Sequence, residues 1–419
     1  MSGASNGFLQ AADSIGARLC RDAIWDGARC NWLGDSMEFV LNRWSVTHKS
    51  FGPDLYAGTA GIALFLAELF EFSGEPLFRR TAEGAIAQSL SRMEIFPPEA
   101  RTGFYSGWIG IGWTLIETGQ KLGRGDWVEK GLGALEDVSR GEPGTHELDV
   151  ISGAAGSIPA LLSVARNHRR PALMDAAVRF GRFLLTRANR GERGWSWTTM
   201  PGGRPDRDLT GYSHGTAGIG VALLELFNST ADPAFRQGAE EAFRYERHWY
   251  SAEHQNWPDL REWEPGKPAA YGMAWCHGAP GIGLSRLRAW ELTHDDAYRR
   301  EAEAALGSTS RTLQYSSPGQ ENFCLCHGLA GNAELLIYAS EVFDNAAYRR
   351  LAEQVARRGI EMYANAGLAW PCGVMGGGES PNLLLGVAGI GHFLLRLHAP
   401  EKTPSVLILR PELPAQANS

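Results

Sequence analysis

The sequence lacks any stretch that could span a membrane or direct export. No apolar run among its 419 residues approaches the roughly 18 residues that a bilayer-spanning helix needs. The opening stretch MSGASNGFLQAADSIG has no apolar centre of the kind that a secretory signal peptide carries. Together these absences predict a cytoplasmic protein.

Concentrated positive charge is also missing. The formal net charge is -7, and no run of lysine or arginine stands out from the rest of the chain. A nucleic-acid-binding surface and a polybasic membrane anchor both depend on such runs. The sequence therefore argues against either kind of partner.

Cysteine is scarce, with six residues in the whole chain. In a reducing compartment these residues are not expected to form disulfides, and clustered cysteines instead suggest a metal site or a reactive thiol. Cys276, Cys324 and Cys326 stand beside histidines in the stretches AWCHGAPGIG and CLCHGLAGNA. The repeated Cys-His-Gly therefore points to chemistry rather than to chance.

Glycine is abundant, and its placement reveals internal repeats. The pattern Gly-x-x-Gly followed by an apolar run occurs seven times, with first glycines at Gly58, Gly107, Gly153, Gly215, Gly278, Gly328 and Gly386. In the first six repeats a large side chain follows the first glycine by 20 residues. Such self-similarity indicates a repeat architecture, in which neighbouring units bury each other's apolar faces.

Each repeat predicts a pair of helices. The stretch after Gly-x-x-Gly, such as GIALFLAELF, is apolar on all sides and is expected to form a buried inner helix. A later stretch such as YRRLAEQVARRGIEMY has one apolar face and is expected to form an outer helix. Alternating patterns typical of strands are sparse. We therefore predict an all-α fold, an (α,α)7 barrel of seven inner and seven outer helices, with a linear solenoid as the competing arrangement.

The predicted organisation is a single domain over residues 1–419. Residues 1–50 are expected to form an N-terminal helical lead-in, and residues 403–419 an extended C-terminal tail. Small residues at the starts of the inner helices would let seven helix N-termini converge at one mouth of the barrel. The residues just before each first glycine, which we call the glycine turns, would then line that mouth.

Chemically active side chains are concentrated in four consecutive glycine turns. They are Asp149, His214, Cys276, His277, Cys324, Cys326 and His327. Equivalent turns of neighbouring repeats would bring Cys276, Cys326 and His327 together, and two thiolates with one imidazole suit Zn²⁺. Three protein ligands would leave one position open for substrate, as in catalytic zinc sites. A closed structural site, with Cys324 or His277 as fourth ligand, and simple burial of packing cysteines are the alternatives.

An open zinc site with two thiolates can bind a third thiol and hold it as a thiolate near neutral pH. His214 would then donate or accept a proton, and Asp149 would orient it. His277 is a second candidate acid or a structural hydrogen-bond donor. In the plainer interpretation, His214 is a capping or core residue and Asp149 caps an inner helix.

The motifs DVISGAAG, GYSHGTAGIG, WCHGAPGIG and CHGLAG resemble those of the lanthionine synthetase C-like (LanC-like) zinc cyclases, and the resemblance covers nearly the whole chain. It implies an (α,α)7 barrel with one zinc ion per chain, held by Cys276, Cys326 and His327. It also implies addition of a peptide cysteine to dehydroalanine or dehydrobutyrine, which forms lanthionine or methyllanthionine. His214 and Asp149 match the acid/base residues of the family.

Two positions depart from the pattern of some stand-alone bacterial cyclases. Those enzymes have Tyr after the first zinc cysteine and Arg four residues before it, where this chain has His277 and Gly272. The Trp-Cys-His-Gly form is similar to the cyclase domains of two-domain lanthipeptide synthetases and to eukaryotic relatives, and His277 stays a third catalytic candidate. Because the chain is too short to include a dehydratase domain, a separate dehydratase is expected to prepare the precursor peptide.

Other functions fit parts of the pattern. A relative that adds glutathione or another small thiol to dehydroamino acids would use the same zinc chemistry. An α/α-toroid glycoside hydrolase would need two carboxylates, for which Asp54, Asp149 and Glu379 are candidates, but it leaves the Cys-His-Gly pair unexplained. A non-catalytic zinc protein would need a closed four-ligand site. The irregular segment Trp195–Gly215 is expected to line the substrate groove, or else to be an exposed linker.

Overall fold

The computed structural model describes residues 2–40, 43–145, 147–200, 207–316 and 322–411. These ranges contain fourteen α-helices: α1 (Ser2–Arg21), α2 (Thr59–Ser73), α3 (Pro76–Arg92), α4 (Trp108–Lys121), α5 (Gly125–Val138), α6 (Ala154–Asn167), α7 (Pro171–Thr186), α8 (Thr216–Thr230), α9 (Pro233–Trp249), α10 (Ala279–Thr293), α11 (Asp296–Tyr315), α12 (Leu329–Val342), α13 (Ala346–Gly359) and α14 (Val387–His398). They also contain six short strands: β1 (Ile24–Asp26), β2 (Arg29–Asn31), β3 (Leu33–Val40), β4 (Arg43–Ser50), β5 (Asn189–Gly191) and β6 (Gly194–Ser196).

Every predicted inner helix begins one residue after the first glycine of its repeat. The inner helices are α2, α4, α6, α8, α10, α12 and α14, and the first six are each followed by an outer helix after a short connection. The side chains of Glu75, Asp232 and Asn345 cap three outer helices by accepting a backbone N–H two residues further on. These caps satisfy N–H groups that the first helical turn leaves without a partner.

In the described part of the chain, no outer helix follows the seventh inner helix. Helix α1 takes that role, because it packs along α14. Phe8, Ala12, Ile15 and Leu19 recur at helical spacing and are buried. The predicted N-terminal lead-in is therefore helical over Ser2–Arg21 and supplies the seventh outer helix.

Residues 24–40 and 43–50 lie in antiparallel hairpins rather than in a helix, which corrects the second half of the predicted lead-in. Strand β1 pairs with β2, and β3 pairs with β4 in antiparallel register from Leu33 opposite Ser50 to Val40 opposite Arg43. The stretch WSVTH contains aromatic and β-branched residues, which are enriched in strands. A third hairpin joins β5 and β6.

The chain divides into two compact units. The first unit contains residues 1–95, 111–133 and 313–407, and the second contains residues 96–110, 134–312 and 408–419. In the first unit α2 packs on α3, α12 on α13, and α14 on both α1 and α2. In the second unit α6 packs on α7 and α8 on α9, and α8 also contacts α6 and α10. A single domain over residues 1–419 stays a prediction.

The inner helices are buried along most of their length, as their composition predicts. All residues from Thr59 to Leu69 of α2 and from Thr216 to Leu226 of α8 are buried. The inner helices also bury hydrogen-bonded pairs of polar side chains that the sequence did not reveal. These pairs are Glu68 with His392, Glu225 with Arg288, and Glu334 with Arg396.

The C-terminal tail has neither helix nor strand from Thr403 to Pro411, and its residues 405–408 are buried. Arg396 of α14 donates to the carbonyl oxygen of Thr403 at 2.7 Å, and Ser405 donates to Glu334 at 3.0 Å. Residues 412–419 of the predicted tail lie outside the described ranges. In those ranges no helix has both the length and the apolar character needed to cross a membrane.

Candidate active site at the glycine turns

Each glycine turn folds tightly back onto the first turn of its inner helix. A Cβ on Gly281 would lie 1.9 Å from the carbonyl oxygen of Trp275, and one on Gly331 would lie 1.8 Å from that of Leu325. Gly278 has a φ of 103°, which residues with side chains rarely adopt. These glycines were expected to let helix N-termini converge, whereas their tightest contacts lie within the turn itself. The glycines thus fix the backbone of both Cys-His pairs.

Backbone hydrogen bonds tie neighbouring glycine turns of the second unit together. The Val150 N–H donates to the Ser213 carbonyl at 3.0 Å, and the Ser213 N–H donates to the Cys276 carbonyl at 3.3 Å. These bonds join the turns that carry Asp149, His214 and Cys276. Their side chains therefore project from a backbone that is held at several points.

Asp149 and His214 form a hydrogen-bonded pair. The Oδ2 atom of Asp149 lies 2.6 Å from Nδ1 of His214, although 65 residues separate them. Asp149 is 2% exposed and the His214 side chain is 28% exposed. Because a carboxylate accepts, the ring carries its proton on Nδ1 and keeps Nε2 for chemistry.

The second oxygen of Asp149 serves the turn. Its Oδ1 atom accepts from the Ser152 N–H at 2.8 Å. Asp54 and Asn382, at the equivalent positions of repeats 1 and 7, accept in the same way from backbone N–H groups at 2.7 and 2.8 Å. In these three repeats a side-chain oxygen closes the turn, and the bond from the other oxygen of Asp149 to His214 is an addition in repeat 3.

The pKa of His214 is shifted by opposing causes. Burial by itself lowers that pKa, but the hydrogen bond and negative charge of Asp149, together with Cys276, raise it above its usual value. The net effect favours the imidazolium form. His214 is thus suited to donate a proton near neutral pH.

His277 stacks on His214 but has a different environment. The ring centroids lie 5.9 Å apart, with the planes at 30°. Burial, followed by the positive charge of Arg261, lowers the pKa of His277 to about 4, so its ring is neutral at pH 7. Within the described part of the chain its buried Nδ1 has no hydrogen-bond partner. This neutral ring is better suited to packing against His214 than to donating a proton as an imidazolium.

The first unit carries Cys326, His327 and Cys324 on one glycine turn. The His327 Nε2 atom lies 3.0 Å from the carbonyl oxygen of Gly373, which places the ring proton on Nε2 and leaves Nδ1 as the nitrogen that can bind a metal. Cys324 is fully buried, and its Sγ atom accepts from the His327 N–H at 3.4 Å. Cys326 is also buried, whereas Cys276 of the second unit is half-buried. Two thiols and one imidazole oriented by a carbonyl match the donor set of zinc.

Two functional candidates were missed in the sequence. Tyr56 donates to the Cys326 Sγ atom at 2.9 Å, and it stands two residues before its first glycine, as Cys276 and Cys326 do. That shared position was the available signal. Glu246 of outer helix α9 accepts from the N–H groups of Gly211 and Ala217, at 3.1 and 2.8 Å, which flank His214. No local pattern marks this long-range contact.

The carboxylates proposed for a glycoside hydrolase have other partners. Glu379 pairs with Arg18 at 2.5 Å and accepts from the Trp370 N–H at 3.0 Å. Asp54 supports its own turn, and Asp149 binds His214. None of these contacts resembles an acid and a base facing a sugar bond.

The segment Trp195–Gly215, predicted to line a groove, is held at both ends where it is described. Trp197 is buried, and its ring N–H donates to the Leu184 carbonyl at 2.7 Å. Asp208 accepts from the hydroxyls of Ser196 and Thr198 at 2.7 and 2.8 Å. These contacts argue against a loose linker in the described part. Residues 201–206 lie outside the described ranges, so the groove stays a prediction.

Paired helices that start at glycine turns, with cysteine and histidine on those turns, define a helical-hairpin repeat protein with a candidate metal centre. A family model described as lanthionine synthetase C-like protein matches residues 49–408. The chain belongs to this family, and the resemblance noted in its motifs is confirmed at that level.

Individual relatives extend the comparison. The chain is 28% identical over 197 residues to the lacticin 481/lactococcin biosynthesis protein LcnDR2 of Lactococcus lactis subsp. lactis, over 45% of this chain but only 20% of the relative. Its structure is similar to nisin cyclase with a TM-score of 0.67 at 18% identity, over 85% of this chain and 91% of the other. This likeness confirms the predicted (α,α)7 fold class. An α-1,6-mannanase from Salegentibacter sp. gives a TM-score of 0.47 at 12% identity, covering 94% and 99% of the two chains, which is too low to support an argument about function.

Proposed function

We propose that the protein is a zinc-dependent lanthipeptide cyclase. It adds cysteine thiolates of a dehydrated ribosomal precursor peptide to dehydroalanine or dehydrobutyrine, which closes lanthionine or methyllanthionine rings. The observation that carries this proposal is the Asp149–His214 hydrogen bond, an oriented acid/base pair inside a chain of the lanthionine synthetase C-like family. The likeness to nisin cyclase supports the same fold for it.

The proposal includes one zinc ion per chain, with Cys276, Cys326 and His327 as its ligands. Thiolate and imidazole are donors that zinc prefers, and three protein ligands leave room for a substrate sulfur. When bound, zinc lowers the pKa of the substrate thiol and stabilises its thiolate. Cys324 and His277 are not assigned as ligands, because each is buried in contacts within its own unit.

His214 supplies the proton that completes the addition. The thiolate sulfur bonds to the β-carbon of the dehydroamino acid, and the electron pair of the double bond moves onto the α-carbon and its carbonyl as an enolate. The α-carbon then takes a proton from Nε2 of His214, while Asp149 holds Nδ1. Since the substrate thiol loses one proton and the α-carbon gains one, the addition has no net proton change. His277 packs against His214 and limits its rotation.

The substrate in this proposal is a precursor peptide that a separate dehydratase has already dehydrated. The Trp-Cys-His-Gly form suggests a cyclase of the kind found within two-domain lanthipeptide synthetases. The match to one fifth of a longer biosynthesis protein supports this assignment. We place the reaction in the cytoplasm, where ribosomal precursor peptides are made.

The decisive experiment combines metal analysis with ring closure. We expect about one zinc ion per chain in the purified protein, and loss of zinc and of activity in Cys276→Ala and Cys326→Ala. Cys20→Ala, which removes a buried cysteine far from the glycine turns in sequence, is the matched control and should keep both. Because ring closure leaves the peptide mass unchanged, closure is measured as loss of alkylatable thiols in a dehydrated peptide. A zinc-free wild type under chelator-free conditions contradicts the proposal, and addition of glutathione without ring closure would favour a small-thiol transferase.

A further inference from the structure

Tyr56 contacts one of the proposed zinc ligands. Its phenol O–H donates to the Sγ atom of Cys326 at 2.9 Å, although 270 residues separate the two. Tyr56 is half-buried and Cys326 is 5% exposed, so water competes little for this hydrogen bond. The contact lies within the first unit.

The backbone holds both partners of this contact. Leu384, in the glycine turn of repeat 7, donates its N–H to the Tyr56 carbonyl at 2.9 Å. The Leu384 carbonyl accepts from the Cys326 N–H, also at 2.9 Å. A single residue therefore bridges the two turns, and the phenol and the sulfur are placed relative to each other by main-chain hydrogen bonds.

The equivalent tyrosine of repeat 2 has a different environment. Tyr105 also stands two residues before its first glycine, but it is 2% exposed and packs edge-on against Phe104 and Trp275, with ring centroids 4.9 and 5.4 Å away. Tyr105 therefore packs among aromatic rings. The contact of Tyr56 with a sulfur atom is a separate feature that packing does not require.

We propose that Tyr56 is a positioning residue that donates a hydrogen bond to the Cys326 thiolate when the proposed zinc site is loaded, and thereby tunes the metal. This inference rests on the proposed function. A hydrogen bond to a coordinating thiolate withdraws electron density from the sulfur and fixes its orientation. The metal then receives less charge from Cys326 and remains a stronger acceptor for a substrate sulfur.

Cobalt substitution with Tyr56→Phe tests the inference without any measurement of activity. Removing the O–H raises the energy of the sulfur lone pairs, so the thiolate-to-cobalt charge-transfer band should move to longer wavelength. The affinity for cobalt, measured by competition with a chelator, should fall about tenfold, because the Cys326 ligand is no longer held in its orientation. Tyr105→Phe removes the same hydroxyl from the equivalent turn and should leave both quantities as in the wild type.

The outcomes separate this inference from the proposed function. An unchanged charge-transfer band in Tyr56→Phe, in a protein that binds cobalt normally, overturns the inference and leaves the zinc site intact. A phenolate-to-cobalt band in the wild type that disappears in the variant also overturns it, because Tyr56 would then be a metal ligand. Failure of the wild type to bind either metal overturns the zinc site and this inference together.

Discussion

Asp149 uses its two carboxylate oxygens for different tasks, and this division can be tested. Asn382 shows that an amide oxygen serves a glycine turn as well as a carboxylate does. Asp149→Asn should therefore keep the turn but face Nδ1 of His214 with an amide group that no longer offers a negative charge. Ring closure should slow on the order of 10²- to 10⁴-fold with the zinc content unchanged.

The matched control is Asp54→Asn, the same chemical change in repeat 1. Asp54 supports only its own turn among the contacts described, so ring closure should proceed at the wild-type rate. Rates are compared by alkylating the remaining thiols at timed intervals. Equal slowing in both variants would show that Asp149 acts through the turn rather than through His214.

Glu246 is a buried acid that holds the turn around His214. Burial raises its pKa to about 8 from an ordinary value of 4.5, so the carboxyl is protonated in most folded molecules at pH 7. Its Oε1 atom accepts from Gly211 and Ala217, and within the described ranges its buried Oε2 has no partner. A neutral side chain of the same shape can therefore replace it.

The pH dependence of stability should distinguish Glu246→Gln from the wild type. An acid whose pKa is higher in the folded protein binds more protons folded than unfolded, so its contribution to the free energy of unfolding falls as pH rises. In the wild type this fall should extend from about pH 4.5 to about pH 8. The variant should lack this contribution, because glutamine does not titrate. Urea unfolding at several pH values measures the difference between the two proteins. A difference that stays constant across this range would contradict the assigned pKa.

At the residue scale, part of the site was predictable because its residues occupy equivalent positions in different repeats. Asp149 and His214 are far apart in sequence, but they occupy corresponding turns of consecutive repeats, so their pairing could be inferred. Tyr56 occupied such a position too, but its role depends on how the turns of repeats 6, 7 and 1 meet. Glu246 lies on an outer helix, where nothing in the local sequence indicates which turn it contacts.

At the scale of elements, the inner helices bury ion pairs. In each pair, one charged side chain depends on the other to offset the cost of its burial. Arg288 of α10 is paired with Glu225 of α8 at 2.5 Å, and both side chains are at most 3% exposed. Arg288→Met should cost about 3–5 kcal/mol of unfolding free energy, because it removes the guanidinium that pairs with the buried Glu225. The double variant Glu225→Gln/Arg288→Met should recover much of that loss.

A surface pair provides the control for this comparison. Arg236 and Glu240 are 58% and 51% exposed on outer helix α9, so Arg236→Met should cost less than about 1 kcal/mol. Denaturant unfolding of all four proteins measures these differences. If the double variant were no more stable than Arg288→Met, the loss would come from packing of the arginine side chain and not from the unpaired charge.

The repeats made the helices predictable but not the β-hairpins. Gly-x-x-Gly marks the start of each inner helix because only glycine tolerates the close carbonyl contact in the turn. Residues 24–50 contain no such mark, and short strands with weak alternation could not be distinguished from a helical lead-in. Strand pairing also depends on contacts between residues that no local pattern specifies.

At the scale of the whole molecule, the number of helical hairpins was predictable, but which helix completes the last one was not. Seven Gly-x-x-Gly motifs indicate seven inner helices, yet within the described residues only the first six inner helices are followed by an outer helix. Helix α1 supplies the seventh, and the contact between α1 and α14 joins segments from opposite ends of the described chain. Sequence periodicity cannot reveal a pairing that occurs only once.

The pairing of α1 with α14 also has a consequence for synthesis on the ribosome. Helix α1 is made early, but the surface that covers its apolar face does not exist until α14 has been translated. Each hairpin between them can form as it emerges, because its two helices are neighbours in sequence. The seventh hairpin instead has to wait, so the apolar face of α1 stays uncovered, and open to chaperones and to other nascent chains, while the hairpins between α1 and α14 are made.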